Sequence, residues 1–198
     1  MLQSRDKLSD GRRVRGADNR RKIVTALLKL IEGGNVDPSA EQVAREAGVG
    51  LRTVFRHFAD MDSLHASISE LMTAEIRPII EQPFTAADWR GRLDELIERR
   101  AQIFERLLPF KIAGDAHRHR SPFLTSEHKA LVKMQTQALR SVLPAKFAGD
   151  KPLFVALDLV LSFDAWKRLR HDQGVAAREA RSALRLAASA LTSSEPGR

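Results

Sequence analysis

The chain has 198 residues and a formal net charge of +8 at pH 7, which suits a polyanionic partner. Cysteine is absent, so disulfides and thiolate chemistry are excluded. The sequence has neither the apolar segment of a secretory signal nor an apolar run long enough to cross a membrane, and we therefore expect a cytoplasmic protein that does not bind membranes.

The first part of the chain is rich in arginine and lysine. Residues 1–17 have no apolar stripe, and we expect a flexible basic arm that can neutralise phosphates. For residues 1–10, a solvated tail without a partner is the alternative. Apolar residues at helical spacing then predict a first helix from Asp18 to Glu32, which the glycine pair at 33–34 would end.

A helix-turn-helix pattern follows at residues 39–64. Ser39 and Gln42 have the spacing of a capping box, and Gly48 can adopt the positive φ that ends a short helix. Apolar periodicity resumes at Leu51, which predicts a second short helix. Such a unit places its second helix, the recognition helix, in the major groove of DNA. Either Asp60 or Asp62 can cap the next helix.

These residues resemble the TetR family of bacterial transcriptional regulators. The matching positions are Val43, Ala44, Ala47, Gly48, Val49, Thr53, Val54, Phe55, His57, Phe58 and Leu64. The resemblance covers residues 20–75 and implies a DNA-binding domain over 18–65 and a helical effector-binding and dimerisation domain over 66–192. It also implies a homodimeric, ligand-responsive repressor of a pseudo-palindromic operator in double-stranded DNA. Residues 193–198 are expected to form a disordered tail.

The candidate DNA contacts lie at the start of the motif and along the recognition helix. Arg52 and Arg56 can hydrogen-bond guanine, and Thr53 can meet a phosphate or a thymine methyl group. The resemblance adds a phosphate contact from His57. The full set of candidates is Ser39, Gly50, Leu51, Arg52, Thr53, Phe55, Arg56 and His57.

Three positions depart from the family pattern. Gly50 replaces a capping Ser or Thr, Phe55 replaces a Tyr, and Met61 replaces a Lys. The Tyr and the Lys are phosphate contacts in the family. We expect the basic residues from Arg12 to Lys22 to replace part of that contact.

The rest of the chain has helical periodicity and no β-like alternation of useful length, which predicts an all-α fold. We expect Pro78 to interrupt the helix that follows the motif. The predicted helices after the motif are 62–76, 88–108, 110–119, 126–143, 152–170 and 175–192.

Two of these helices indicate a dimer interface. The helix over 152–170 is apolar on nearly all sides, and the helix over 175–192 has a seam of alanine. A helix without a polar face needs cover on both sides, which a partner subunit can supply. The internal core of a monomer is the alternative.

The C-terminal part also contains candidates for the wall of an effector pocket. They are Phe104, Phe110, Phe123, Met134, Phe163 and Trp166, and plain core is the alternative for each of them. His117, His119 and His128 do not have the spacing of a structural zinc site, so we expect neither a metal nor a cofactor. A constitutive DNA-binding regulator without effector and a helical enzyme remain alternatives, although no catalytic arrangement stands out and we expect no enzymatic activity.

Overall fold

A computed structural model describes the backbone from Gln3 to Ser193 and the side chains from Gly16 to Ser193. Every regular element in this range is helical, which confirms the predicted all-α fold. A 3-10 turn at Arg118–Arg120 and a π-helical turn at Arg168–Asp172 join the longer helices. The α-helices are α1 Gln3–Glu32, α2 Ala40–Glu46, α3 Leu51–His57, α4 Met61–Glu81, α5 Trp89–His117, α6 Pro122–Val142, α7 Ala145–Gly149, α8 Lys151–Val160, α9 Phe163–Lys167 and α10 Ala177–Ser193.

The chain forms two compact units. The N-terminal unit comprises residues up to Glu75 together with Pro109–Thr125. The C-terminal unit comprises Ile76–Leu108 together with residues from Ser126 onward. The DNA-binding domain predicted over residues 18–65 therefore lies inside a unit that also takes in the end of α5 and the start of α6.

The core of the N-terminal unit forms where α1 to α4 meet. The apolar positions of the motif are buried there, and Ala113 of α5 joins them with 1% of its surface exposed. Phe110 packs against the same cluster. The best-buried members from α1 to α4 are Ile23, Leu27, Val43, Val54, Phe58 and Leu64.

Helix α1 begins at Gln3, not at Asp18 as predicted. The predicted flexible arm over residues 1–17 is therefore helical from Gln3 onward, while residues 1 and 2 lie outside the described range. The absence of an apolar stripe misled the prediction. Once the packed part of a helix exists, each added residue costs far less than nucleation, and arginine, lysine and leucine favour the helix.

Two prolines that were expected to interrupt helices lie inside them. Helix α4 runs through Pro78 to Glu81, and α5 runs through Pro109 to His117, so the predicted helices 88–108 and 110–119 are one helix. A proline removes one backbone hydrogen bond and can be tolerated with a kink. In helices of 21 and 29 residues, the remaining bonds on both sides sustain the element.

The predicted helix 152–170 is instead divided between α8 and α9. Leu161 ends α8, and the Ser162 hydroxyl accepts a hydrogen bond from the backbone N–H of Ala165, which caps α9. The amide oxygen of Gln135 accepts from the backbone N–H of Phe163 at 2.9 Å. These two side chains satisfy N–H groups that a continuous helix would otherwise bond internally.

The C-terminal unit is built around Trp166, which is fully buried. Phe163 packs edge-on against Phe104, with ring centroids 5.4 Å apart. Glu105 of α5 accepts a hydrogen bond from Trp166 Nε1 at 2.8 Å and from Arg170 Nε at 2.8 Å. Ion pairs from Arg181 and Arg185 to carboxylates of α5 hold α10 in the same unit.

Candidate nucleic-acid interface and effector cavity

The predicted capping box at the start of α2 is present. The Gln42 N–H donates to Ser39 Oγ at 3.3 Å, and the Ser39 N–H donates to Gln42 Oε1 at 2.8 Å. Ser39 Oγ also donates to Glu41 Oε2 at 2.8 Å, which lowers the pKa of that carboxyl. The hydroxyl of Ser39, a predicted DNA-contact residue, therefore already has two local partners.

The turn between α2 and α3 depends on two glycines. Gly48 has φ of +64°, in the left-handed region that favours glycine. Gly50 occupies the N-cap position of α3 with no side-chain hydrogen bond to the helix. Of the two predicted caps for α4, the structure uses Asp60, whose Oδ1 accepts from the Ser63 N–H at 2.8 Å.

Helix α3 has one buried face and one face open to solvent. Val54 is buried, as is Phe58 directly after the helix. Thr53 and His57 are half-buried at the edges of the exposed face. The exposed positions are Leu51, Arg52, Phe55 and Arg56, and Phe55 has 53% of its surface in solvent. Six of the eight predicted DNA-contact residues thus lie on or beside one accessible face of a short helix.

His57 differs in one respect from the prediction. Its Nε2 is buried and has no hydrogen-bond partner among the described residues, and Gly16 of α1 lies close to the same ring. Burial lowers the pKa of His57, and the positive charges of Arg56 and Arg20 lower it further. As positioned, Nε2 does not reach a phosphate, so a contact would have to come from the remainder of the ring.

Two basic residues of α1, Arg20 and Lys22, are held by partners. Arg20 Nη2 donates to Ser67 Oγ at 2.6 Å, and its guanidinium lies 4.7 Å from the ring centroid of Phe58. Lys22 pairs with Asp18 at 2.9 Å. Arg12, Arg13 and Arg15 were also predicted to replace phosphate contacts. The structure does not describe their side chains.

We expect the protein to lose stability as the pH falls below about 6.5. Burial is the main cause that lowers the pKa of half-buried His65, and the neighbouring His117 lowers it further. The pKa of His57 is lowered as well. Both groups therefore bind protons more readily in the unfolded chain, so their stabilising contribution is complete above their ordinary pKa of 6.5 and is lost below it.

Thermal unfolding at pH 7.5 and 5.5 measures this effect. His65→Asn should reduce the fall in Tm between the two pH values, whereas the same change at exposed His119 should leave it intact. An identical fall in Tm for wild type and His65→Asn would contradict the assignment.

A cavity of about 240 Å³ lies within the C-terminal unit. Of the six predicted pocket residues, Phe104 and Met134 line it. Phe163 and Trp166 lie behind Phe104 in the core, whereas Phe110 and Phe123 belong to the N-terminal unit. The other lining residues are Ile80, Gln82, Pro83, Phe84, Leu96, Arg99, Arg100, Ile103, Gln135, Ala138 and Ser141.

Arg100 also lines the cavity and is 4% exposed, although it was not among the predicted site residues. The signal was present, because Arg100 falls at helical spacing between the apolar residues Leu96, Ile97, Ile103 and Phe104 of α5. A charged residue inside the apolar stripe of a helix is expected to be buried. Burying a charge is costly unless a partner compensates it.

Helices α8 and α10 present apolar side chains to solvent. Leu157 is fully buried, but Val155 and Leu159 on the opposite side of α8 are 56% and 66% exposed. Leu186 of α10 is 73% exposed. The two sides of α8 thus match the prediction that one side packs on its own unit and the other lacks cover.

Among the described residues, no group of three or more histidine, aspartate or glutamate side chains could hold a metal ion. No helix in the described part of the chain is both long and apolar enough to span a membrane.

Comparison with known proteins identifies a similar fold. No protein-family model and no curated protein matches the chain. A crystal structure of a transcriptional regulator from Rhodococcus sp. Rha1 superimposes with a TM-score of 0.65 at 16% sequence identity, over 88% of this chain and 96% of that one. The chain therefore has the helical fold of a known transcriptional regulator.

Proposed function

We propose that this protein is a DNA-binding transcriptional regulator of the TetR type, acting in the cytoplasm as a homodimer. The observation that carries the proposal is the exposed face of α3, which presents Arg52, Phe55 and Arg56 after a glycine turn and a capped α2. A similar fold in a transcriptional regulator supports the same role. The segment α2–turn–α3 has the size and shape of the helix-turn-helix units that enter a major groove.

Arg52 is the residue best placed to read a base. It occupies the second position of α3, and residues near the start of a recognition helix reach base edges most directly. Arg56 lies one turn later and can meet a base or the backbone. Exposed Leu51 and Phe55 can supply apolar contact to thymine methyl groups.

Arg52→Ala should weaken binding to the selected operator by about 1–3 kcal/mol and relax the base preference at one position. Selection from random duplexes followed by titration of both proteins on the resulting site measures the effect. Exposed Lys129 in α6 provides the control, because Lys129→Ala removes a positive charge far along the sequence from α3. A selection that returns no two-fold symmetric motif would refute the regulator proposal.

An effector would act through the cavity in the C-terminal unit. Effectors control DNA binding only if they bind the DNA-competent and incompetent arrangements with different affinity. The cavity lining has no carboxylate, thiol or imidazole group, which favours ligand binding over acid–base catalysis. If binding of an effector releases the protein from DNA, the protein is a repressor. If the cavity binds no effector, the protein is a constitutive regulator.

A further inference from the structure

The wall of the cavity in the C-terminal unit combines apolar side chains with one buried charge. Leu96, Ile103, Phe104 and Met134 form much of the apolar surface. Arg100 lines the same cavity and is 4% exposed. Ligand sites are typically apolar, with a few polar groups that fix the orientation of the ligand. Arg100 is the group of this kind here.

Arg100 has no carboxylate hydrogen-bonded to it in the described structure. Its Nη1 donates to the backbone oxygen of Leu161 at 2.8 Å, and its Nη2 donates to the backbone oxygen of Gln135. A guanidinium group has five N–H donors, so these two bonds leave about three for another acceptor. Neutral carbonyls orient the group, but they do not cancel its charge.

The charge of Asp158 acts on Arg100 without a hydrogen bond between the two groups. Burial lowers the pKa of Arg100 to about 10, and the charge of Asp158 partly opposes this shift. Asp158 itself accepts a hydrogen bond from the Thr136 hydroxyl at 2.7 Å. Arg100 therefore stays protonated at pH 7 as a charge with incomplete compensation, which is costly in an apolar wall.

The neighbouring Arg99 shows the contrast. It also lines the cavity, but it pairs with Glu95 at 3.3 Å and lies 4.1 Å from the ring centroid of Phe84. It further donates to the backbone oxygens of Gln82 and Pro83. Arg99 thus holds the segment between α4 and α5 and has its own counter-charge, whereas Arg100 has none in direct contact.

We propose that the cavity binds a small apolar monocarboxylate, whose carboxylate pairs with Arg100 and whose apolar part contacts Phe104 and Met134. Arginine binds carboxylates through parallel, charge-assisted hydrogen bonds, which are stronger than neutral ones. The ligand supplies the missing negative charge and replaces water along the apolar wall. This inference rests on the proposed regulator function and names the chemical class of its effector.

The volume limits the size of the ligand. Liquid water occupies about 30 Å³ per molecule, so a cavity of 240 Å³ accommodates roughly eight non-hydrogen atoms. Octanoate is close to this size and carries the charge, and 1-octanol offers nearly the same apolar chain without it. Octylamine carries the opposite charge on the same chain.

Titration of the full-length protein with these three probes tests the charge preference. Calorimetry measures binding, and tryptophan fluorescence reports on the cavity because buried Trp166 packs on Phe104. Octanoate should bind at least tenfold more tightly than 1-octanol, and octylamine more weakly than both. Equal affinity for octanoate and 1-octanol, or no binding of either, would overturn the proposal.

Substitutions locate the preference at Arg100. Arg100→Met should lower the affinity for octanoate at least tenfold and change the affinity for 1-octanol less than threefold. Arg100→Gln should have the same effect, although it retains a hydrogen-bond donor for a backbone carbonyl. Ala138→Phe should weaken both probes by filling the cavity. Arg106→Met, at an exposed position of the same helix, should change neither.

Circular dichroism checks that each variant is folded before titration. Full octanoate affinity in a folded Arg100→Gln protein would overturn the assignment of the charge. Operator binding is measured separately without probes, so a failed ligand assignment and a failed regulator assignment give different results.

Discussion

Leu159→Arg combined with Leu186→Arg should convert the proposed dimer to a monomer at micromolar concentration. Both side chains are apolar and largely exposed within one chain. If they meet a partner subunit, each arginine would be buried without a counter-charge. Such a change costs at least ~3 kcal/mol, which corresponds to more than a hundredfold in dissociation constant. If the protein binds DNA as proposed, operator affinity should fall as the dimer is lost, because one chain would contact only one half-site.

The position of the charge matters for this test. Leu157 has the same apolar character in the sequence, but it is fully buried in its own unit, so Leu157→Arg would unfold the protein and report nothing about assembly. Exposed Ala183 of α10 is a suitable further position for an arginine that tests the dimer. Val132→Arg on α6, at an exposed apolar position, serves as the control and should leave the dimer intact. A monomeric wild type in sedimentation equilibrium would rule out the dimer.

Trp166→Ala should lower the free energy of unfolding by about 3–5 kcal/mol, since it removes the largest fully buried side chain. The change leaves a void beside Phe104 and deletes a hydrogen bond to Glu105. For a chain of this size, the expected fall in Tm is about 10 °C. Because Phe104 lines the cavity, octanoate affinity should change as well.

The second tryptophan provides a matched control. Trp89 packs on Phe147 at a centroid distance of 4.9 Å but remains half-exposed. Trp89→Ala should therefore cost less than half as much stability as Trp166→Ala, measured by chemical denaturation. Equal losses from the two substitutions would show that Trp166 is not the centre of the C-terminal core.

Local chemistry made the motif predictable from sequence. The reciprocal bonds of Ser39 and Gln42, the positive φ of Gly48 and the uncapped Gly50 each depend on residues within a few positions of one another. Short-range signals of this kind do not require knowledge of the tertiary fold. The cap at Asp60 is equally local, because Asp60 and Ser63 hydrogen-bond each other across three residues.

Long-range contacts explain what the sequence did not reveal. The division between α8 and α9 depends on Gln135, which is 28 residues from Phe163. Phe104 and Phe163 are both buried aromatic residues, yet of the two only Phe104 lines the cavity. An aromatic residue lines a cavity or packs in the core according to the side of a packed layer on which it lies. The periodicity of the sequence predicts only which face of its own helix it occupies.

The make-up of the N-terminal unit has a consequence for synthesis on the ribosome. Ala113 and Phe110 pack against the core that α1 to α4 form, although they lie well after Glu75 in the chain. The helix-turn-helix therefore emerges first but lacks part of its apolar cover until residues 109–125 are made. At about 5–20 residues per second, this delay is roughly 3–10 s. During that interval the nascent chain exposes apolar surface, and a truncated transcript would yield an incomplete N-terminal unit.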